Sequence, residues 1–262
     1  TQSRSSAASD VYKRQVLGPM RIAVLAVAAA GCAASEFGAV GAVVEQPASR
    51  AESVPSCSNR RQMNIIFLME TMYLTHPACR LHEMGSWHPE SPQRLDAISD
   101  QLLASGLMPY LDDRQAPQAS RHDLLRVHTV QYLDSLREHT PDQGYYPIDP
   151  DTLMNPHTYE AALHAAGAGV AAVDAVMGGE ARTAFCAVRP PGHHACRSQA
   201  MGFCFLNNVA IAARHALDFH GLSRVAIVDF DVHHGNGTED VFAGDDLSLI
   251  HISEPTRLRR IS

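Results

Sequence analysis

The sequence predicts an α/β domain built on a central parallel sheet flanked by helices. Two short apolar runs, Ala184–Val188 and Val225–Val228, are bounded by turn residues and have the length and composition of buried parallel strands. Stretches with apolar residues at helical spacing alternate with such runs, which places helices on both faces of one sheet. The first run is stopped by Arg189-Pro190-Pro191 ahead of Gly192-His193-His194, and the second passes at once into Asp229, Asp231, His233, His234 and Asn236 with Gly235 and Gly237. Open α/β sheets hold their ligand sites just beyond the carboxyl ends of the strands, so these two ends are the candidate site.

The elements follow in chain order. Of the 262 residues, 45% are hydrophobic and 19% charged, enough apolar material for one core. Residues 1–15 are polar and aperiodic and read as a non-native tail, as do residues 249–262 at the other end; both stand outside fold reasoning. Residues 16–62 have two readings. Met20-Arg21 followed by IAVLAVAAAGC has the form of a short export signal ending at a lipoprotein-type cysteine, Cys32, and is shorter than the about 20 apolar residues of a spanning helix. Alternatively the segment is read-through ahead of a start at Met63 or Met72, and the protein is cytoplasmic with no membrane contact. The Ser-, Arg- and Pro-rich stretch from Pro47 to Arg61 is linker-like in both.

The domain is expected over residues 63–248, opening with a strand at Ile65–Leu68 and a long loop, Thr75–Glu90. Ser91-Pro92 starts a helix through Leu103, with Leu95, Ile98, Leu102 and Leu103 at helical spacing. His122–Arg137 repeats the pattern through Leu124, Leu125, Val127, Tyr132, Leu133 and Leu136, and His128 reads as structural. Tyr145–Asn155 is a Pro- and Asp-rich loop. His157–Met177 is a helix of small residues suited to close packing on the sheet, and Val209–His220 is the helix that leads into the second apolar run.

Chemistry concentrates in two stretches. In VAIVDFDVHHGNGT, Val225–Thr238, two carboxylates and two imidazoles follow a buried strand, where charged groups persist only if paired or bound to a metal. Asp231 and His233 are two apart and point to one side of an extended chain. An oxygen and a nitrogen donor converging in this way suit zinc or another first-row divalent ion. In AFCAVRPPGHHACRSQAMGFCFLNN, Ala184–Asn208, the adjacent imidazoles His193 and His194 are placed for proton transfer near neutral pH.

RPPGHH, GFCFLNN and DFDVHHGNGT, in this order, resemble the zinc-dependent histone deacetylase family, nearest its class II and bacterial acetylpolyamine amidohydrolase-like members. The resemblance runs from about Met72 to about Asp246 and includes HPESPQRL, His88–Leu95, whose Pro89, Glu90 and Arg94 shape a loop under the site. It implies the three-layer arginase/deacetylase fold and a hydrolase that removes acetyl groups from acetyl-lysine peptides or acetylated small amines. Asp231 and His233 would be two of three zinc ligands, and His193 and His194 the pair that handles the proton of the attacking water. Asp229 would hydrogen-bond one of the pair, expected to be His193, and help hold a potassium ion; Asn236 would orient the other. Phe203 would wall a tunnel for the acetyl-lysine stem, with the Gly202 carbonyl nearby, and Asp149 or Asp151, the latter preferred, would hold the substrate backbone at the rim. The third zinc ligand, the transition-state tyrosine and several strands would follow Asp246, so the chain reads as the N-terminal part of the domain and is expected to be inactive alone, the alternative being a non-catalytic binding relic of the same fold.

Three further observations narrow the reading. Arginase-like enzymes bridge two metals with a D-x-H-x-D pattern, and Gly235 stands where the last aspartate is required. A net charge of −7, with no basic cluster before Arg257–Arg260, argues against direct nucleic-acid binding and favours a basic substrate. The six cysteines form no C-x-x-C pair and no disulfide-like spacing, as in a reducing compartment.

Overall fold

In the computed structural model, the backbone is described for residues 22–27, 40–45, 71–244 and 248–252, and the side chains for residues 71–244. The strands are β1 (Ile22–Val27), β2 (Val40–Glu45), β3 (Thr71–Thr75), β4 (Leu111–Gln115), the short pair β5 (Tyr146–Pro147) and β6 (Leu153–Met154), β7 (Thr183–Cys186), β8 (Arg224–Asp229) and β9 (Ser248–Ile252). The helices are α1 (Ala78–Leu81), α2 (Gln93–Ala104), α3 (Arg121–Leu124), α4 (Val130–Glu138), α5 (Thr158–Met177), α6 (Asn208–Asp218) and α7 (Asn236–Phe242).

Seven strands form one sheet in the order β4-β3-β7-β2-β1-β8-β9. Neighbours run parallel except around β2, which is antiparallel to both β1 and β7. The expected strand at Ile65–Leu68 lies outside the described residues; the first strand with described side chains is β3, whose Met72, Tyr73 and Leu74 are buried. β1 and β2 come from the segment with the signal-like and read-through readings, and β9 overlaps the segment read as a C-terminal tail. Along β8 burial alternates: Val225, Ile227 and Asp229 are buried, while Arg224, Ala226 and Val228 are half-buried.

The expected helix at His122–Arg137 is two helices. Thr129 has extended backbone dihedrals and caps a new helix by accepting from Tyr132 N at 3.3 Å, so the apolar periodicity continues while the backbone restarts. Ser120 opens α3 with a capping box closed by Asp123. The Asp-rich loop folds back as the β5–β6 hairpin, which sets Asp149 and Asp151 at its tip.

α5 is long and apolar enough to suit a membrane, but most of it is buried inside the domain. Its small residues explain why. A Cβ at Gly167 would overlap Pro117 O, and one at Gly169 would press on Ala212 Cβ at 3.1 Å, so α5 lies directly against the β4–α3 connection and α6. Around it, Leu133, Met154, Phe205, Leu206 and Ile211 are almost wholly excluded from water, each worth about 1.5–3 kcal/mol of burial.

A buried ion pair supports the loops beneath the strand ends. The Arg189 guanidinium, 0% exposed, donates to both Glu90 carboxylate oxygens and to the carbonyls of Cys79 and His82 at 2.9 and 2.8 Å. Burial raises the Glu90 pKa, but the Arg189 hydrogen bonds and charge outweigh it and hold the carboxyl below its ordinary value. His82 packs beside this pair, and burial depresses its imidazole from 6.5 to about 3. His128 is lowered to about 4 by the same cause and accepts a hydrogen bond from Asn207 N at 3.0 Å.

Both imidazoles are neutral in the folded protein, whereas in the unfolded chain they protonate near 6.5. The unfolded state therefore binds more protons as pH falls below 6.5, and stability declines from there down to about pH 4 for His128 and about pH 3 for His82. Urea unfolding at pH 7 and pH 5 should show a loss of roughly 2 kcal/mol per buried imidazole. His82→Gln should remove its share of that slope; an unchanged slope in this variant would place the acid sensitivity elsewhere.

Candidate active site

The loops after β7 and β8 meet over the carboxyl ends of those strands and line a cleft of ≈ 500 Å³ together with the β5–β6 hairpin. Its walls include Asp151, His193, His194, Gly202, Phe203, Asp231, His233 and Asn236, and Asp149, Pro191 and Met201 also face it. Asp229, the last residue of β8, is buried directly below.

Each histidine of the pair has its own partner. Asp229 Oδ2 accepts from His193 Nδ1–H at 2.8 Å, and Asn236 Oδ1 accepts from His194 Nδ1–H at 2.6 Å. The Asn236 orientation agrees with its amide nitrogen facing Met201 Sδ at 3.4 Å, an acceptor only, and Cys196 Sγ at 3.7 Å, whose thiol hydrogen is directed to His194 O. With Nδ1 used as donor, each neutral ring keeps its lone pair on Nε2. The ring centroids are 4.1 Å apart. Burial, followed by the neighbouring His193, lowers the His194 pKa below the usual imidazole value and favours the neutral ring.

Asp231 and His233 stand side by side. Asp231 Oδ1 accepts from His233 N at 2.8 Å and lies 3.1 Å from His233 Nδ1. Asp231 is buried and His233 is exposed toward the cleft. Asp231 N donates to Asp229 Oδ1 at 3.1 Å, so the buried carboxylate supports both the histidine pair and this second pair. A hard oxygen and an imidazole nitrogen at one edge of the cleft are donors that zinc takes. Among the described residues no third metal-ligating side chain joins them at ligand distance.

Close approaches dictate the small residues. A Cβ at Gly235 would lie 2.5 Å from Asp229 Oδ2, and one at Gly202 would lie 2.5 Å from His194 Cδ2. Phe203 has φ 68°, an uncommon conformation for a side chain of this size. It is retained by Phe203 N donating to Thr152 Oγ1 at 3.1 Å and by edge-on packing against His88 at 4.5 Å between centroids. His88 in turn donates from Nε2 to Asp151 O at 3.0 Å.

All nine sequence-predicted residues are thus brought to one place, eight lining the cleft and Asp229 beneath it. Thr152, His88 and Met201 were not foreseen as site residues. His88 carried a signal, since it opens HPESPQRL; Thr152 and Met201 carried none, because neither type has chemistry that marks a site until the fold brings it near Phe203 or Asn236.

The fold and cleft define an α/β domain with paired imidazoles and carboxylates at the carboxyl ends of its strands. The chain belongs to the histone deacetylase domain family, which matches residues 88–253. A histone deacetylase-like amidohydrolase of Pseudomonas aeruginosa is 46% identical over 200 residues, covering 72% of this chain and 52% of the relative. The polyamine deacetylase HDAC10 of Homo sapiens is 42% identical over 170 residues, covering 63% of this chain and 25% of the relative. Among solved structures, the HDA15 HD domain aligns with a TM-score of 0.67 and 34% identity over 71% of this chain and 54% of that one. The chain therefore spans about half the length of the first of these relatives.

Gly235→Ala should drive a methyl group into Asp229 Oδ2 and break the His193–Asp229 bond. Urea unfolding is expected to show a loss of about 1–3 kcal/mol, together with loss of the low-field Nδ1 proton resonance of His193. A variant with unchanged stability and an intact resonance would show that the loop has room the structure denies it.

Proposed function

We propose that this domain hydrolyses the acetyl amide of acetyl-lysine or of a related acetylated amine. The observation that carries this reading is the pairing of two imidazoles, each held through Nδ1 by its own partner, in the cleft that also holds Asp231 and His233. A zinc ion held by Asp231, His233 and a ligand beyond the described residues would, when bound, lower the pKa of water and polarise the acetyl carbonyl. A potassium ion near Asp229 belongs to the same reading.

The chain's own groups have distinct tasks. One imidazole accepts the proton of the attacking water at Nε2 and then, as the imidazolium, delivers that proton to the leaving amine; the other, when it carries a proton at Nε2, steadies the charge developing on the carbonyl oxygen. Asp229 and Asn236 fix the tautomers and the ring planes, so neither ring turns its lone pair away from the cleft. Phe203 and Gly202 border the path of the methylene stem and exclude water from it. Asp151 at the rim accepts from the substrate's backbone amide or attracts its cationic end. Support for an acetylated amine comes from the family and from its relatives, one named as an amidohydrolase and one as a polyamine deacetylase. The alternative is a binding-only domain of the same fold, in which the same cleft takes the acetylated amine without turnover.

The test is acetate release from an acetyl-lysine peptide and from an acetylated polyamine by the zinc-loaded protein that carries this domain. Release should stop on chelation, return with zinc, and fall by about 10²-fold or more in His193→Ala. A zinc-loaded protein that binds either compound but releases no acetate would establish the binding-only reading.

A further inference from the structure

Behind the sheet, away from the cleft, α5 and α6 lie side by side, and their last turns meet at Asp174 and His215. The chain leaving α6 brings His220 to the same point. Asp174 Oδ1 lies 2.6 Å from His215 Nε2 and 2.7 Å from His220 Nε2, and the three donor atoms all fall within 4.8 Å of one another. None of the three residues lines the cleft or serves the chemistry above.

Hydrogen bonding alone leaves this cluster unsatisfied. If both Nε2 atoms donate to Asp174, a neutral His215 presents a lone pair at Nδ1. That atom is buried with no hydrogen-bond partner, and the group facing it is Asp123 Oδ1 at 3.6 Å, another acceptor. Two acceptors opposed in a water-excluded place are destabilising. A cation on the Nε2 side reverses the arrangement: both Nε2 atoms become ligand lone pairs, and His215 Nδ1–H points at Asp123. A carboxylate behind a ligating imidazole is how metal-bound histidines are oriented.

We propose that Asp174, His215 and His220 form a second divalent-metal site, for zinc or a neighbouring first-row ion, distinct from Asp231 and His233. Two imidazole nitrogens and one carboxylate oxygen are a suitable donor set, and the half-exposed Asp174 leaves a fourth position open to water. Ligation at about 2.0–2.1 Å spreads tetrahedral donors to roughly 3.3 Å, so the two contacts to Asp174, now 2.6 and 2.7 Å, must open by about 0.6–0.7 Å. Asp174 and His220 have the freedom, one at the surface and one beyond the helix end. The negative ends of two helix dipoles converge here, and Asp123 adds charge of the same sign. Arg126 is the opposing cation, 3.6 Å from Asp123 Oδ1, but it is also paired with Asp218 at 3.2 Å. The ion would clasp α5 to α6, whose N-terminal cap, Asn207, holds Ala195 O at 3.0 Å just after the histidine pair.

The test is zinc binding by the tag-free chain, followed by calorimetry and by the zinc-induced shift in Tm. Removal of one ligand, in His220→Gln or separately in Asp174→Asn, should abolish one equivalent of bound zinc and most of the Tm shift. The variants are checked for native circular dichroism, and Asp231→Ala should keep that equivalent. If both folded variants bind as much zinc as the parent, with the same Tm shift, the site is overturned. A parent whose Tm ignores zinc but rises as His215 is protonated would equally overturn it, because the cation would then be a proton.

Discussion

The Asp229 carboxylate is the constraint on which the site depends. It ends β8, is buried, and uses its two oxygens in different directions: Oδ2 accepts from His193 Nδ1 and Oδ1 from Asp231 N. One charged group thereby holds the loop after β7 against the loop after β8. A buried carboxylate without such partners would be strongly destabilising, so the bonds that orient the histidine are also those that make the carboxylate tolerable. Truncation of Asp229 would remove both of these bonds at once.

Bringing two polar loops this close requires that the backbone, not side chains, fill the space between them. A Cβ at Gly237 would lie 2.5 Å from the carbonyls around His194 and Ala195, and Gly192 has equally little room against Leu206 and Asn208. Thr238 N donates to His193 O at 3.1 Å across this contact. Strain collects where the crossing ends, at Phe203, whose positive φ is stabilised by Thr152 and His88 rather than by its own preference. The floor is held separately by Arg189 and Glu90, so the site rests on two buried carboxylates, each matched to a different cation or N–H donor.

Much of this was legible in the residues because patterns of local origin survived folding. The runs at Ala184–Val188 and Val225–Val228 became β7 and β8 with small shifts at their ends, and the helices at Ser91–Leu103, His157–Met177 and Val209–His220 appear within a few residues of their expected bounds. The site was legible for the same reason: charged and imidazole side chains after a buried strand have few non-chemical explanations. What escaped was set by tertiary contact. Thr129 ends one helix and caps the next within a continuous apolar pattern that carries no trace of the break. The antiparallel course of β2 comes from its pairing between β7 and β1, which no local period encodes. Arg189 showed in the sequence only as the residue that follows the Ala184–Val188 run and opens RPPGHH, yet it is the buried partner of Glu90, 99 residues away in sequence.

The rim shows how such long-range contacts join separate parts of the site. Asp151 N donates to Asp149 Oδ1 at 3.0 Å, and the hydrogen bond with the Asp149 carboxyl, then burial, raises the Asp151 pKa. Two carboxyl groups this near each other gain when a positive group approaches, so the hairpin tip favours cationic ligands before any contact with the cleft interior. His88 carries that preference inward. Its Nε2 holds Asp151 O, its Nδ1 accepts from Glu90 N at 3.1 Å, and its ring packs on Phe203. The rim, the Phe203 side of the cleft and the buried ion pair are therefore registered to one another through a single imidazole, so that a displacement of the acidic tip bears on both Phe203 and the loop that carries Glu90.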